Sequence, residues 1–169
     1  MTQDLYNAAV EEYGRALDRL AAGYEADPDK RLDLRQTIHL QLWKSFEHYD
    51  GRCSLRTWTF RVAHNAAVSF IDGERRKRLL FVSLEELEQA PDGAGWEPDI
   101  DRRRALDRLA RLIHALKPLD RQIMLSYLEE MDNGSIADIT GLSPAHVAMK
   151  VHRIKNILSR RLQKEEHRA

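Results

Sequence analysis

The feature that most constrains this 169-residue chain is a short turn sequence, Thr140 to Pro144, between two segments of helical periodicity. Gly141 can adopt the left-handed backbone conformation that commonly ends a helix. Ser143 can cap the following helix, and Pro144 suits its first position because no N–H is needed there. The segment therefore predicts two helices joined by a tight turn, a helix–turn–helix.

The second helix of this motif has an apolar side and a basic side. Spacing of three to four residues assigns the core-facing side to Val147, Val151, Ile154 and Leu158. No acidic residue occurs from Ile139 to Lys164. Such a helix fits the DNA major groove, with its N-terminal half toward base edges and its cations toward phosphates. The alternative is a helical hairpin that merely contains a glycine turn.

Charge is unevenly distributed along the chain, although the total is zero. Residues 1–100 carry a net charge of −5 and residues 101–169 a net charge of +5. Two basic segments, 51–78 and 139–164, flank a segment at 79–100 that contains no base. This pattern indicates a polyanion held at two places, and solvated helix faces are the alternative explanation.

Helical periodicity also covers most of the remaining chain. Apolar spacing predicts helices over residues 4–22, 32–46, 54–78, 106–116 and 119–130, the third of them capped by Ser54. Proline and glycine replace aliphatic residues near 82–99, as is typical of a linker. The sequence predicts an all-α fold with a helical domain over 1–81, a flexible acidic linker over 82–100 and a helix–turn–helix domain over 101–169.

Composition argues against several other classes of protein. The single cysteine, Cys53, cannot form an internal disulfide, which favours a reducing compartment. No apolar run approaches the roughly 18 residues of a membrane span, and no signal-peptide pattern precedes the first helix. The seven histidines form no metal-ligand array, and Cys53 has no evident base partner. We expect a cytoplasmic protein that is not an enzyme and has no metal or cofactor.

The helix predicted over 54–78 carries a face suited to an unpaired nucleotide. Four residues recur there at spacings of three or four: Trp58, Arg61, Asn65 and Ser69. An indole, a guanidinium and a carboxamide can stack on, neutralise and hydrogen-bond a base that has left the DNA stack. The opposite, core-facing side is predicted to consist of Leu55, Val62, Ala66 and Phe70. The alternative is a buried Trp58 beside a solvated surface.

The sequence as a whole resembles the extracytoplasmic-function group of sigma-70 factors of bacterial RNA polymerase. The most specific segment, Trp58 to Asn65, is similar to the family's W-x-x-R-[IV]-A-x-N run in regions 2.3 and 2.4. Further similarities lie at Asp33 to Gln36 with Leu40 and Trp43 (region 2.2), at Leu116 to Leu125 (region 4.1) and at Ile136 to Leu162 (region 4.2). The sequence departs from region 2.2 at Thr37 and His39, where the family has an acid and an aromatic residue.

The resemblance implies two contacts with the polymerase core. A face of the second predicted helix would dock on the clamp helices of the largest subunit: Asp33, Gln36, Leu40 and Trp43. The surface from Leu112 to Leu128 would hold the flap of the second-largest subunit. An anti-sigma factor is a further partner that the resemblance implies.

The resemblance also implies two contacts with promoter DNA. The loop from Tyr49 to Leu55, with Asn65, would form a pocket for a base flipped from the −10 element. The implied −10 contacts are Arg52, Ser54, Trp58, Arg61, Asn65 and Ser69. The implied −35 contacts are Ser143, Ala145, His146, Met149, Lys150, Arg153 and Lys155.

The function implied is that of a sigma factor, which directs promoter recognition, DNA melting and transcription initiation. The residues alone leave two alternatives open: a helix–turn–helix transcriptional regulator that never joins polymerase, and a pure interaction module. A transcription assay with and without core polymerase distinguishes a sigma factor from such a regulator, because only a sigma factor requires core polymerase for its specific action.

Overall fold

The computed structural model describes residues 2–75 and 101–166, and these form α-helices without any β-strand. The helices are α1 (Thr2–Tyr24), α2 (Pro28–Ser45), α3 (Leu55–Arg75), α4 (Asp101–Ala115), α5 (Pro118–Leu128), α6 (Asn133–Thr140) and α7 (Pro144–Glu166). The predicted all-α class is confirmed for this part of the chain. The predicted acidic linker, at 82–100, lies outside the described residues, as does the predicted end of the third helix beyond Arg75.

Short polar side chains cap α2 and α3; α3 begins after Ser54 as predicted, whereas α2 begins at Pro28, four residues before the predicted start. The Asp27 carboxylate accepts hydrogen bonds from the backbone N–H groups of Asp29 and Lys30, at 2.9 and 3.1 Å. Ser54 accepts one from the Thr57 N–H at 3.0 Å and so caps α3. These bonds satisfy backbone donors that lack a partner in the first turn of a helix.

Helices α1, α2 and α3 form the N-terminal body. Its core contains Leu17 and Leu20 of α1, Leu34 and Ile38 of α2, and Phe60 of α3, each at most 2% exposed. Burying each such side chain contributes roughly 1.5–3 kcal/mol. Because these residues come from all three helices, their burial fixes the direction of α2 and α3.

The core-facing side of α3 differs from the prediction. Of Leu55, Val62, Ala66 and Phe70, only Ala66 is fully buried, and the others lie half-buried at the edge of the core. The structure instead buries Phe60, Ala63, His64, Ala67 and Ile71. Helix α3 packs against α1, α2 and also α6, so neighbours remote in sequence decide which side is covered. The buried side of α3 includes a histidine, His64, so a pattern based on apolar residues does not identify it.

Helices α4 to α7 form the C-terminal body. The predicted inner side of α7 is confirmed, because Val147, Val151, Ile154 and Leu158 are all at most 7% exposed. This apolar side anchors α7 against α5 and α6 and leaves its other side to solvent.

The two bodies pack against each other along a polar seam. His64 of α3 is completely buried there, with Nδ1 2.9 Å from the Tyr24 hydroxyl and Nε2 2.9 Å from the Ser126 hydroxyl. At the edge of the seam, Arg19 of α1 forms two 2.7 Å hydrogen bonds with the Glu129 carboxylate. The seam therefore depends on paired polar groups as well as on apolar burial.

A buried arginine covers another part of the seam. The Arg121 guanidinium donates to the carbonyl oxygens of Tyr24, His114 and Leu116, and it lies 5.7 Å from the centre of the Tyr24 ring. His114 of α4 lies beside it, with Nε2 2.8 Å from the carbonyl oxygen of Ala22. Both residues belong to the C-terminal body and form hydrogen bonds with backbone carbonyl groups at the end of α1.

Burial in the seam lowers the pKa of His64 to about 3. The imidazole is therefore neutral at pH 7, with one nitrogen donating and the other accepting. That pattern suits two hydroxyl partners, since each hydroxyl can take either role.

We expect the neutral His64 to make the protein less stable in mild acid. Below pH 6.5 an exposed histidine takes up a proton, whereas His64 in the folded chain, with a pKa of about 3, does not. The free energy of unfolding should therefore fall by up to about 1.4 kcal/mol per pH unit from pH 6.5 to 4.5 because of this residue. Urea titrations at four pH values across this range measure the slope.

The control for this measurement is a pair of substitutions that remove one histidine each. His64→Gln should reduce the pH slope, whereas His146→Gln, on the exposed side of α7, should leave it unchanged. An identical slope in wild type and His64→Gln would refute this role of His64.

Candidate nucleic-acid and protein interfaces

The predicted turn between α6 and α7 is confirmed. Gly141 has a φ of 76°, and its N–H donates to the carbonyl oxygen of Ala137 at 2.8 Å. Ala137 is 7% exposed, which agrees with its predicted position between the crossing helices. The Ser143 hydroxyl accepts from the His146 N–H at 3.3 Å and caps α7. The turn thereby fixes which side of α7 points outward.

Most of the predicted −35 residues lie on that outward side. Six of the seven are exposed: Ser143, Ala145, His146, Met149, Arg153 and Lys155. Met149 exposes 63% of its surface, more than any other large apolar residue described in helices α4 to α7. The exposed row starts at the N-terminal end of α7, where the helix dipole favours an anion such as a phosphate.

Two lysines of α7, Lys150 and Lys155, have contacts that the sequence does not reveal. Lys150 Nζ lies 2.7 Å from Oδ1 of Asp120, a residue of α5 that is only 6% exposed. A buried carboxylate requires a cation, so Lys150 neutralises Asp120 and fastens α7 to α5. Lys155 Nζ donates to the Tyr127 hydroxyl at 2.9 Å and lies 5.0 Å from the ring centre.

The loop before α3 is held by its own hydrogen bonds. The Tyr49 hydroxyl donates to the carbonyl oxygen of Cys53 at 2.7 Å, and the Arg52 N–H donates to Asp50 Oδ1 at 3.1 Å. Gly51 has a φ of 75°, which permits the sharp turn. The loop therefore presents Arg52 to solvent, with its side chain 89% exposed, and leaves Cys53 half-buried.

The four predicted nucleotide-facing residues of α3 differ in exposure. Solvent reaches two of them freely, Asn65 and Ser69, and two only in part, Trp58 and Arg61. The Trp58 indole N–H donates to Ser45 Oγ at 3.1 Å, and its ring lies 5.3 Å from that of Tyr49. Trp58 thus joins the end of α2 to the loop and offers only part of its ring for stacking.

The four predicted polymerase-facing residues form one exposed stripe on α2: Asp33, Gln36, Leu40 and Trp43. Leu40 is 52% exposed and Trp43 37% exposed. The Trp43 ring packs edge-on against Tyr6 of α1 at 5.3 Å, and the Tyr6 hydroxyl lies 3.0 Å from Nδ1 of His39. Exposed large apolar side chains held in a fixed position are typical of a protein-binding surface.

The segment from Leu112 to Leu128 is mostly turned inward. Ile113, Leu116 and the residues from Asp120 to Ser126 are buried. Leu119 and Leu128 are 36% and 45% exposed and provide the apolar surface that this segment offers to a partner.

Two further findings concern membrane-spanning helices and metal sites. None of the described helices is long and apolar enough to cross a membrane. Within residues 2–75 and 101–166, no three His, Cys, Asp or Glu side chains come together as metal ligands.

Two family descriptions match this chain, one on each helical body. Sigma-70 region 2 matches residues 9–77, and Sigma-70, region 4 matches residues 106–158. The chain belongs to the sigma-70 family, in its extracytoplasmic-function group. The predicted family is thereby confirmed.

Two named members of this group are similar in sequence. ECF RNA polymerase sigma factor SigG of Mycobacterium tuberculosis is 30% identical over 118 residues, which are 69% of this chain and 30% of SigG. RNA polymerase sigma factor SigV of Bacillus subtilis is 23% identical over 166 residues, which are 98% of this chain and 95% of SigV. The chain therefore spans less than a third of the length of SigG and nearly all of SigV.

Two solved structures share the fold. CnrH, solved in complex with the cytosolic domain of CnrY, superposes with a TM-score of 0.68 at 20% identity and covers 96% of this chain and 90% of CnrH. The sigma factor RpoE of Bartonella quintana, solved with the anti-sigma factor NepR, superposes with a TM-score of 0.69 at 17% identity. The match covers 94% of this chain and 96% of RpoE.

We expect Lys150→Ala to destabilise the protein by about 1–3 kcal/mol, because it leaves the Asp120 carboxylate buried without its cation. Urea unfolding of the full chain measures the loss. The double variant Lys150→Met with Asp120→Asn removes both charges and should recover most of the stability. Equal stability of Lys150→Ala and wild type would show that the ion pair does not hold α7.

Proposed function

We propose that this chain is an RNA polymerase sigma factor that directs promoter recognition, DNA melting and transcription initiation. The observation that carries the proposal is the exposed stripe of α2, with Leu40 and Trp43, in the same chain as an outward-facing recognition helix. A regulator that never joins polymerase needs the recognition helix but has no use for the stripe.

In this function each body contacts both the polymerase and its own promoter element. We assign residues 1–81 to core polymerase and the −10 element, 82–100 to a tether and 101–169 to the −35 element. The stripe of α2 contacts the clamp helices, and Leu119 and Leu128 contribute to a contact with the flap. RNA synthesis is catalysed by the polymerase, so the chain itself needs no catalytic group or cofactor, and it acts in the cytoplasm with the polymerase.

The exposed residues are assigned to direct DNA contacts. On the −10 side these are Arg52, Ser54, Asn65 and Ser69, with Trp58 and Arg61 at the partly covered edge. On the −35 side they are Ser143, Ala145, His146, Met149, Arg153 and Lys155. Lys150 contributes by fixing the recognition helix on α5, since its charge is paired with Asp120.

Binding both elements at once requires the seam to open. The element names place their centres about 25 base pairs apart, which is about 85 Å of duplex at 3.4 Å per base pair. A compact chain of 169 residues has a radius of gyration of about 15 Å, so its opposite surfaces are about 40 Å apart. With the two bodies packed against each other (the closed form), the chain therefore contacts one element at most. The seam contacts of His64, Arg121 and Arg19 must separate in the active complex.

We also propose an anti-sigma factor as a partner. Two structures of similar fold, CnrH and RpoE, contain a second protein, and NepR is described as an anti-sigma factor. In this chain an apolar cleft of about 540 Å³ lies on the seam between α1, α4 and α5, with Leu106 and Leu128 exposed at its rim. A partner helix in this cleft would contact both bodies and favour the closed form.

Run-off transcription with core polymerase over a random promoter library tests the function directly. Specific transcripts should appear only when the chain and core enzyme are combined. Trp43→Ala should weaken core binding at least about fivefold, because truncating a central interface tryptophan typically costs more than 1 kcal/mol. Leu106→Ala, which truncates an exposed apolar residue of the other body, is the control.

The alternative function gives the opposite result. A polymerase-independent regulator would protect duplex operator DNA as a symmetric dimer without core enzyme, and Trp43→Ala would not affect it. Such an outcome would falsify the sigma-factor proposal.

The salt dependence of −35 binding distinguishes the two roles assigned on α7. If Arg153 contacts a phosphate, Arg153→Ala should reduce the slope of log affinity against log salt by about one unit. Lys150→Ala should leave this slope unchanged, because the ammonium is bound to Asp120. Holoenzyme binding to duplex −35 DNA at four salt concentrations measures both slopes, and a reduced slope for Lys150→Ala would contradict its positioning role.

A further inference from the structure

The seam between the two bodies contains two histidines, and each forms a hydrogen bond across it. Nε2 of His64, in the N-terminal body, lies 2.9 Å from the hydroxyl of Ser126 on α5. Nε2 of His114, in the C-terminal body, lies 2.8 Å from the carbonyl oxygen of Ala22 on α1. Both contacts end when the bodies separate, and water then reaches both imidazoles. Proton uptake by these rings is therefore coupled to the position of the bodies.

The immediate neighbours of His64 suit a neutral ring. Its two nitrogens face the hydroxyls of Tyr24 and Ser126, and the ring of Phe60 lies 6.4 Å away between centres. The imidazole is completely buried among these groups. Burial without a charged partner opposes a positive charge on the ring, because the charged form loses its hydration.

The helices packed against α3 supply no carboxylate that could compensate a charge on His64. Their buried titratable or charged side chains, among the described residues, are Tyr24, Asp120 and Arg121. Asp120 is already paired with Lys150 at 2.7 Å. Arg121 is a cation that lies over the Tyr24 ring, so its charge disfavours a second positive charge in the same seam.

His114 responds to protons in the same direction. Burial lowers its pKa, and the charges of Arg121 and Arg31 lower it further. The hydrogen bond to the Ala22 carbonyl oxygen and the charge of Glu25 raise the pKa, but the net direction remains downward. The closed form therefore disfavours the protonated state of both histidines.

A glycine allows the seam to close tightly beside His64. A methyl group at Gly23 of α1 would overlap the side chain of Leu125 on α5. Any other residue at this position would therefore force the two helices or their side chains apart. Gly23 directly precedes Tyr24, which contacts His64, so the close approach of α1 and α5 helps to keep water from the imidazole.

We propose that the seam is an acid-sensitive latch, in which protons taken up by His64 and His114 separate the two bodies while each body stays folded. The latch itself goes beyond the proposed function. Only its consequence, that mild acid favours the form able to reach both promoter elements, rests on that function.

The size of the effect follows from His64. Its pKa is about 3 in the closed form and returns toward 6.5, the ordinary value of an exposed histidine, when the bodies part. Below pH 6.5 the open form therefore binds a proton that the closed form does not bind. The opening constant, the ratio of open to closed chains, should rise about tenfold between pH 7.5 and 5.5 through this residue alone. His114 adds to the rise.

Energy transfer between two dyes on the full chain tests the latch. With Cys53→Ser as background, Ala8→Cys in α1 and Ser159→Cys in α7 place one dye on an exposed position of each body. Lowering the pH from 7.5 to 5.5 should reduce the transfer and raise the opening constant at least about tenfold. The far-UV circular dichroism of the same samples should stay constant, because the helices remain folded. The range ends above the pH at which carboxyl groups ordinarily take up protons.

Three variants in the labelled chain assign the response. His64→Gln keeps a group that donates and accepts but takes up no proton, and it should reduce the pH response at least threefold. Ser126→Ala removes the partner of His64 on the other body, so it should raise the opening constant about two- to tenfold at every pH and keep the pH response. His146→Gln, on the exposed side of α7, is the control and should behave as wild type.

The outcomes separate the latch from the proposed function. An opening constant that does not change with pH would overturn the latch, as would a loss of helical signal in step with the energy transfer. A wild-type pH response in His64→Gln would overturn it too, and if that variant does not fold, an unchanged opening constant in Ser126→Ala has the same meaning. No polymerase is present in this measurement. Absence of specific transcription with core enzyme would therefore overturn the proposed function and leave the latch intact.

Discussion

The two helical bodies are joined by a neutral imidazole that two hydroxyl groups share. His64 comes from α3, Tyr24 from α1 and Ser126 from α5, so this one side chain links both halves of the molecule. The same helix carries Asn65 immediately after His64, about 100° around the helix and exposed to solvent. The position of Asn65 and the other proposed nucleotide contacts of α3 relative to the C-terminal body therefore depends on how α3 is held in the seam.

The polar contacts of the seam involve groups that water can replace. The hydroxyls of Tyr24 and Ser126, the imidazole of His64 and the guanidinium of Arg121 all hydrogen-bond well to water once separated. Breaking such contacts therefore costs much less than exposing an apolar core of the same size. The interiors of the two bodies are, by contrast, made mostly of aliphatic and aromatic side chains. In the proposed function the bodies part, and this difference favours their separation over unfolding of either one.

Helices, caps and the turn could be predicted from the sequence because they depend on neighbours within about four residues. Gly141, Ser143 and the inner stripe of α7 are examples, and the exposed stripe of α2 follows from the same periodicity. The buried side of α3 could not be predicted, since α6 covers it from far along the chain. Nor could the partner of Lys150, because Asp120 lies 30 residues away and its burial has no sequence signal.

The Lys150–Asp120 pair separates two tasks within one helix. The orientation of α7 is set by this ion pair together with the buried inner residues Val147 and Ile154. Ala145, His146 and Met149 are consequently free to vary without disturbing the way the helix docks. With the −35 contacts proposed above, a library randomised at these three positions alone would be a practical route to sigma factors with reprogrammed promoter choice, built on an unaltered scaffold.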